Sequence, residues 1–121
     1  MNAAILRQAH EYWFGLLARP EDSRPTAVLC ACDVIALGVL HALRSAQLSV
    51  PGDVSVVGFD DIELAQFVSP PLTTVHQSKL RLGQGAMEML LALMKDCPVD
   101  DRIMPTDLIL RESTSALERG I

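Results

Sequence analysis

The sequence predicts an α/β fold built on a parallel sheet, and three observations predict it. The run Ala27-Val-Leu-Cys-Ala-Cys32 is short and continuously apolar, as expected of a strand buried on both faces. Asp33 ends that run, and residues 34–47 then read as a helix. A second apolar stretch, Val54-Ser-Val-Val-Gly-Phe59, follows the turn Val50-Pro-Gly-Asp53 and again ends in acid, at Asp60 and Asp61. Strand, helix, strand is the crossover unit of open parallel sheets, which take ligands at the carboxyl ends of their strands. Cys32, Asp33, Asp60 and Asp61 all fall at such ends. Asp33 is also placed to cap the helix that it opens, where the helix dipole favours a negative charge.

Composition narrows the classes of function. A chain of 121 residues is one domain or part of one, and with half of its residues hydrophobic it is not a disordered segment. A formal charge of −5 without a lysine or arginine cluster argues against binding a nucleic-acid backbone by this chain alone, so any contact with DNA needs another domain. No stretch approaches the roughly 20 apolar residues of a membrane helix. The first residues show no basic region followed by an apolar run and cleavage site, so no membrane partner is expected and the cytoplasm is the expected compartment. Cys30, Cys32 and Cys97 are odd in number, and a Cys-x-Cys pair within a strand is a poor disulfide, so reduced thiols are expected. No second Cys/His pair has ligand spacing, and neither a metal nor a cofactor is expected.

The other elements follow in chain order. Ile5, Leu6, Ala9, Trp13, Leu16 and Leu17 recur at helical spacing and predict an amphipathic helix packed on the sheet, with Trp13 and Phe14 read as core. Residues 20–25 form a polar turn. The helix after Asp33 is apolar nearly all round and needs covering on a second side, by more of the same protein or by a partner chain. His41 lies in it with no nucleophile at useful spacing, which favours packing or interface over catalysis. Ile62 to Val68 is a short helical or looped segment that Ser69-Pro-Pro71 stops, and Leu72 to Val75 reads as a short strand. Ser78 caps a helix running to about residue 95 whose buried stripe is Leu80, Gly83, Met87, Leu90, Leu91 and Met94, with Gly83 and Gly85 implying close packing. Leu108 to Leu110 is a last strand before a polar tail.

Four blocks in order carry a family likeness: Pro25-Thr-Ala with Asp33-x-x-Ala-Leu-Gly38, then Val50-Pro-x-Asp-Val-Ser-Val-Val-Gly-Phe-Asp-Asp61, Pro70-Pro-Leu-Thr-Thr74 and Arg111-Glu-Ser-Thr114. From about Trp13 onward the chain resembles the C-terminal part of the effector-binding domain of bacterial LacI/GalR transcriptional repressors. The resemblance implies part of a periplasmic-binding-protein-like, type I fold, in which two lobes close on a small effector, a sugar or a nucleobase, first of all a sugar. Operator DNA would be read by a helix-turn-helix that this stretch lacks. It implies that Thr73 to Gln77 crosses between lobes, that the helix over residues 78–96 belongs to an N-terminal lobe otherwise missing, and that Leu108 to Leu110 returns. It also implies ligand contacts at Asp60 and at Cys32, where the family usually has asparagine; Asp33, beside Cys32, is added to the ligand-binding set by its strand-end position. A homodimer is implied through Leu37, Leu40, His41, Leu64, Phe67 and Val68.

Two other readings stay open on the sequence. A fragment of an exported periplasmic sugar-binding protein would share the architecture, although the wording of the blocks favours repressors. A phosphoacceptor receiver-like domain would use Asp60, but it needs a lysine at a strand end, and Lys79 and Lys95 both fall in the late helix. No Gly-x-Ser-x-Gly or glycine-rich phosphate loop occurs, and the chain is read as non-enzymatic.

Overall fold

The computed structural model describes residues 3–117. Three helices, α1 (Ala3–Leu17), α2 (Asp33–Ser45) and α3 (Lys79–Leu93), accompany four strands: β1 (Ala27–Leu29), β2 (Ser55–Phe59), β3 (Thr73–Gln77) and β4 (Thr106–Ile109). The strands form one sheet in the order β1-β2-β3-β4. β1, β2 and β3 run parallel, with Leu29 opposite Val57 and Val57 opposite Thr73, while β4 returns antiparallel along β3, with Val75 opposite Leu108. The predicted strand-helix-strand unit is therefore present, extended by a third parallel strand and an antiparallel edge.

The core lies between the sheet and α2. Val39, Ala42 and Leu43 of the helix meet Val28, Val56 and Leu72 of the sheet side, and all but Val28 are fully buried. Leu17 and Trp13 of α1 join the same core, as predicted for Trp13, whereas Phe14 is exposed. α1 packs chiefly on α2 rather than on the sheet. The reason sits at Gly38, where an added Cβ would lie 2.7 Å from Ala9 Cβ and 2.8 Å from the Leu6 carbonyl oxygen. Glycine lets the two helix backbones approach there, and the second apolar side of α2 is covered by the protein itself.

β1 differs from expectation. The continuous apolar run predicted burial on both faces, but Val28 and Cys30 are buried while Leu29 is 76% exposed. α2 covers one face of the sheet and α1 stacks on α2, so Leu29 on the other face has no helix over it. An apolar run reports compatibility with burial and cannot tell which layers are supplied.

α3 also differs. Ser78 caps it as predicted, its Oγ accepting from the Arg81 amide at 3.3 Å. The expected buried stripe is exposed instead: Leu80, Met87, Leu90, Leu91 and Met94 all face solvent, and among the described residues only Gly85 of this helix is buried. A Cβ added at Gly83 would meet nothing among the described residues, so the close packing inferred for it is absent, while one added at Gly85 would lie 3.4 Å from the Arg102 guanidinium. α3 projects from the body between β3 and β4 without docking on the core. The polar tail beyond Leu117 lies outside the described residues.

The α1–α2 contact yields the first prediction. Gly38→Val forces a branched side chain into a backbone contact, and overpacking of this kind costs about 1–3 kcal/mol. The urea midpoint of the variant is expected to fall at unchanged slope, and a midpoint equal to the parent would mean that the helices do not approach closely at Gly38.

Candidate functional site

The parallel strands deliver three segments to one end of the sheet. The Cys30 amide donates to the Val57 carbonyl at 2.8 Å, continuing the β1–β2 ladder past the strand proper. Cys32 and Asp33 leave β1 there, Asp60 and Asp61 leave β2, and His76 and Gln77 end β3. The sequence-predicted residues are thus brought to the same edge, with β3 contributing two that spacing did not single out.

Asp33 is wholly buried. Its expected capping role is corrected: Cys32, in extended backbone, is the N-cap residue of α2 and makes no side-chain cap, and Asp33 is the first helical residue. Its carboxylate reaches sideways instead. Oδ1 accepts from Thr74 Oγ1 at 2.6 Å and Oδ2 from the Ile62 amide at 2.8 Å. Gly58 on β2 makes this possible, because a Cβ there would overlap Asp33 Oδ1 and sit 3.0 Å from Leu72. Glycine in the Gly58-Phe-Asp-Asp61 block is the space that the Asp33 carboxylate fills.

Asp60 and Asp61 both take positive φ, 106° and 49°, a conformation uncommon for residues with a side chain. The Asp60 amide is held by the Val75 carbonyl at 2.9 Å. The two carboxylates then divide. Asp60 Oδ1 accepts from Gln77 Nε2 at 3.1 Å, and its other oxygen has no partner among the described residues. Asp61 is tied on both oxygens, to Arg111 Nη2 at 2.7 Å and to His76 Nδ1 at 3.0 Å. Burial raises the Asp61 carboxyl, but the hydrogen bond and charge of Arg111, joined by those of His76, outweigh it and hold the group below the ordinary carboxylate range.

Arg111 and Ser113 bind the C-terminal segment to the sheet. Arg111 also donates to the Leu72 carbonyl at 2.9 Å, and its amide donates to Thr73 Oγ1. Ser113 Oγ accepts from the Thr73 amide at 2.8 Å and donates to the Val56 carbonyl at 2.6 Å, fully buried. The third and fourth sequence blocks are therefore one hydrogen-bonded network beneath the acidic pair. Arg111, Thr74, His76 and Gln77 were not singled out as site residues. The apolar pattern alone ends this strand at Val75, and the resemblance places Gln77 in the crossover without a contact to Asp60, whereas β3 runs on to Gln77 at the edge.

Cys32 is partly exposed at this edge, whereas Cys30 is buried among apolar neighbours. Burial, with the nearby Cys32 and Asp33, pushes the Cys30 thiol up to about 12, so it packs as a neutral group. Among the described residues no three His, Cys, Asp or Glu side chains converge in a way that could hold a metal.

A second feature lies on the opposite side of α2. Leu37, Leu40, His41, Leu64 and Val68 converge on an open groove of about 620 Å³, joined by Leu6, Arg7 and His10 from α1 and by Arg44. Phe67 is strongly exposed and does not line it.

Residues 2–114 match the family described as the periplasmic binding protein-like domain. The chain is 46% identical over 98 residues to the HTH-type transcriptional repressor PurR of Vibrio vulnificus, an alignment covering 79% of this chain and 29% of that protein. It is 43% identical over 107 residues to the PurR of Glaesserella parasuis, covering 32% of it. Among solved structures, the Lac repressor dimer bound to operator and the anti-inducer ONPF superposes with a TM-score of 0.82 at 37% identity, over 89% of this chain and 37% of that one. A LacI family regulator from Lactobacillus casei with bound sucrose gives 0.76 at 31% identity, over 90% and 40%. The chain thus spans about three-tenths of the curated relatives that it matches.

Two predictions follow from the network. Asp33→Ala strands the buried Thr74 hydroxyl and the Ile62 amide, and each unsatisfied group costs about 1–3 kcal/mol. Chemical denaturation is expected to show a loss of that order, and a variant as stable as the parent would mean that the carboxylate is dispensable. For Asp61 the sign is fixed by its lowered value: its contribution is complete above about pH 4 and is lost as pH falls through the folded-state value. Stability measured from pH 5 downward should therefore fall less steeply in Asp61→Asn than in the parent, and equal slopes would remove Asp61 from the balance.

Proposed function

Because the chain belongs to the periplasmic binding protein-like domain family, in its LacI/GalR repressor branch, we propose that it forms the effector-sensing and dimerising portion of a DNA-binding transcriptional regulator. The chain acts without catalysis in this reading, in the cytoplasm. It binds a small molecule, first of all a sugar, and meets operator DNA only through another domain. Its repressor relatives favour this reading over that of an exported sugar-binding protein.

The observation that carries the reading is the unequal pair at the end of β2. Asp61 is fully engaged in the network, whereas Asp60 keeps one carboxylate oxygen unpartnered among the described residues and has its side chain steadied by Gln77. A steadied carboxylate with a spare oxygen accepts a hydroxyl or N–H hydrogen from a ligand. Cys32 lines the same edge and contributes a soft, weakly hydrogen-bonding surface. Asp33 serves the site by fixing Thr74 and the Ile62 backbone under the acidic pair. β3 and β4 form the crossover to a second lobe, and α3, with Met87 and Leu90 in solvent, belongs to that lobe. The dimer forms through the α1–α2 groove and the neighbouring Phe67.

The test is a thermal melt of the chain with pentoses, hexoses and purines at millimolar concentration. A ligand at about 100 times its dissociation constant adds roughly 2.7 kcal/mol to the folded state, a shift of several degrees. The expected result is a selective shift that disappears in Asp60→Ala while the ligand-free midpoint stays near the parent value. A shift that survives Asp60→Ala, or none with any compound, would sink the assignment.

A further inference from the structure

Resting on the dimer reading, we propose that association through the α1–α2 groove is acid-sensitive, with His10 and His41 releasing a second copy of the chain as they take up protons. His10 comes from α1 and His41 from α2, and their ring centres lie 4.6 Å apart. His10 also stacks on Phe14 at 5.8 Å. His10 Nε2 is buried and has no hydrogen-bond partner among the described residues. Both rings line the groove together with the apolar side chains of Leu37, Leu40 and Leu64.

Among the described residues every other charged group lining the groove is basic. α1 supplies Arg7 and α2 supplies Arg44, whose guanidinium donates to the Ser69 carbonyl at 2.7 Å. The segment after β2 supplies Leu64, Val68 and Ser69 and no titratable group. Among the described residues no carboxylate lines the groove, and Glu11 and Glu63 are exposed outside it. A twofold interface sets a patch against its own copy, so these basic groups meet their like. With neutral imidazoles the apolar lining drives the contact. A proton on the exposed His41 ring places an unpaired charge on a surface about to lose its water, in a groove lined by two arginines, and His10 Nε2, already buried without a partner among the described residues, offers a second proton no acceptor.

Sedimentation equilibrium at about pH 7.5 and about pH 5.5 tests it on the parent chain, on H10Q/H41Q, on H41Q and on H76Q. His76 pairs with Asp61 away from the groove and serves as the control. The parent and H76Q are expected to dissociate at least tenfold more readily at the lower pH, an effect reduced in H41Q and absent in H10Q/H41Q. Circular dichroism at both values verifies that the chains stay folded; should the double variant not fold, H41Q, altered at an exposed position, decides by the same comparison. A parent dimer equally tight at both values, or a pH effect unchanged in the folded histidine variants, would overturn the proposal while leaving the dimer intact. A parent that stays monomeric at both values would overturn the dimer reading itself, and the acid response with it.

Discussion

The buried carboxylate of Asp33 is the interaction on which the rest of this edge depends. A charged or polar group with no exposed surface needs partners. It finds them in two elements distant in sequence, the Thr74 hydroxyl on β3 and the Ile62 amide after the acidic pair. One side chain at the start of α2 therefore fixes where β3 lies relative to β1 and where the chain turns after β2. The glycine at position 58 exists in the service of that arrangement, since any side chain there would occupy the carboxylate's place. Asp60 and Asp61 inherit their positions from it, and their left-handed backbone is held by bonds to β3.

Around this anchor the two acids at the end of β2 divide structural and recognition work. Asp61 closes a chain from His76 to Arg111 and so joins β3 to the segment following β4. Asp60 is only half satisfied among the described residues. Neighbouring residues of the same type thus acquire different roles from the direction in which a left-handed turn aims them. The low proton affinity of Asp61 is a consequence of its partners, while the spare oxygen of Asp60 is a consequence of having only one.

Much of this could be read from residues alone. The strand-helix-strand unit, the acids at strand ends and the Ser78 cap all depend on local pattern, and local pattern is what a sequence displays directly. The layers were less legible. The apolar run of β1 could not reveal that Leu29 would face solvent, nor could the stripe of α3 reveal that nothing in the described chain would cover it. Such questions depend on elements remote in sequence. The role of Asp33 was hidden for a similar reason, since capping is a local expectation and the hydrogen bond to Thr74 spans 41 residues. The meeting of His10 and His41 depends on α1 lying against Gly38, which no periodicity reports.

The pairing of β3 with β4 has a mechanical consequence. α3 leaves the body through β3 and its chain returns through β4, and the two strands are hydrogen-bonded from Thr74 with Ile109 to Gln77 with Thr106. A helix on a single tether could swivel about one bond. A helix leashed by a paired ribbon cannot, because sliding one strand past the other breaks the ladder between them. The motion left to α3 is bending and twisting of the ribbon as a unit. Gln77, which holds Asp60, and Thr106, its partner across the ladder, close the end of that ribbon nearest to the projecting helix, so the Asp60 carboxylate is bonded to the last rung before α3.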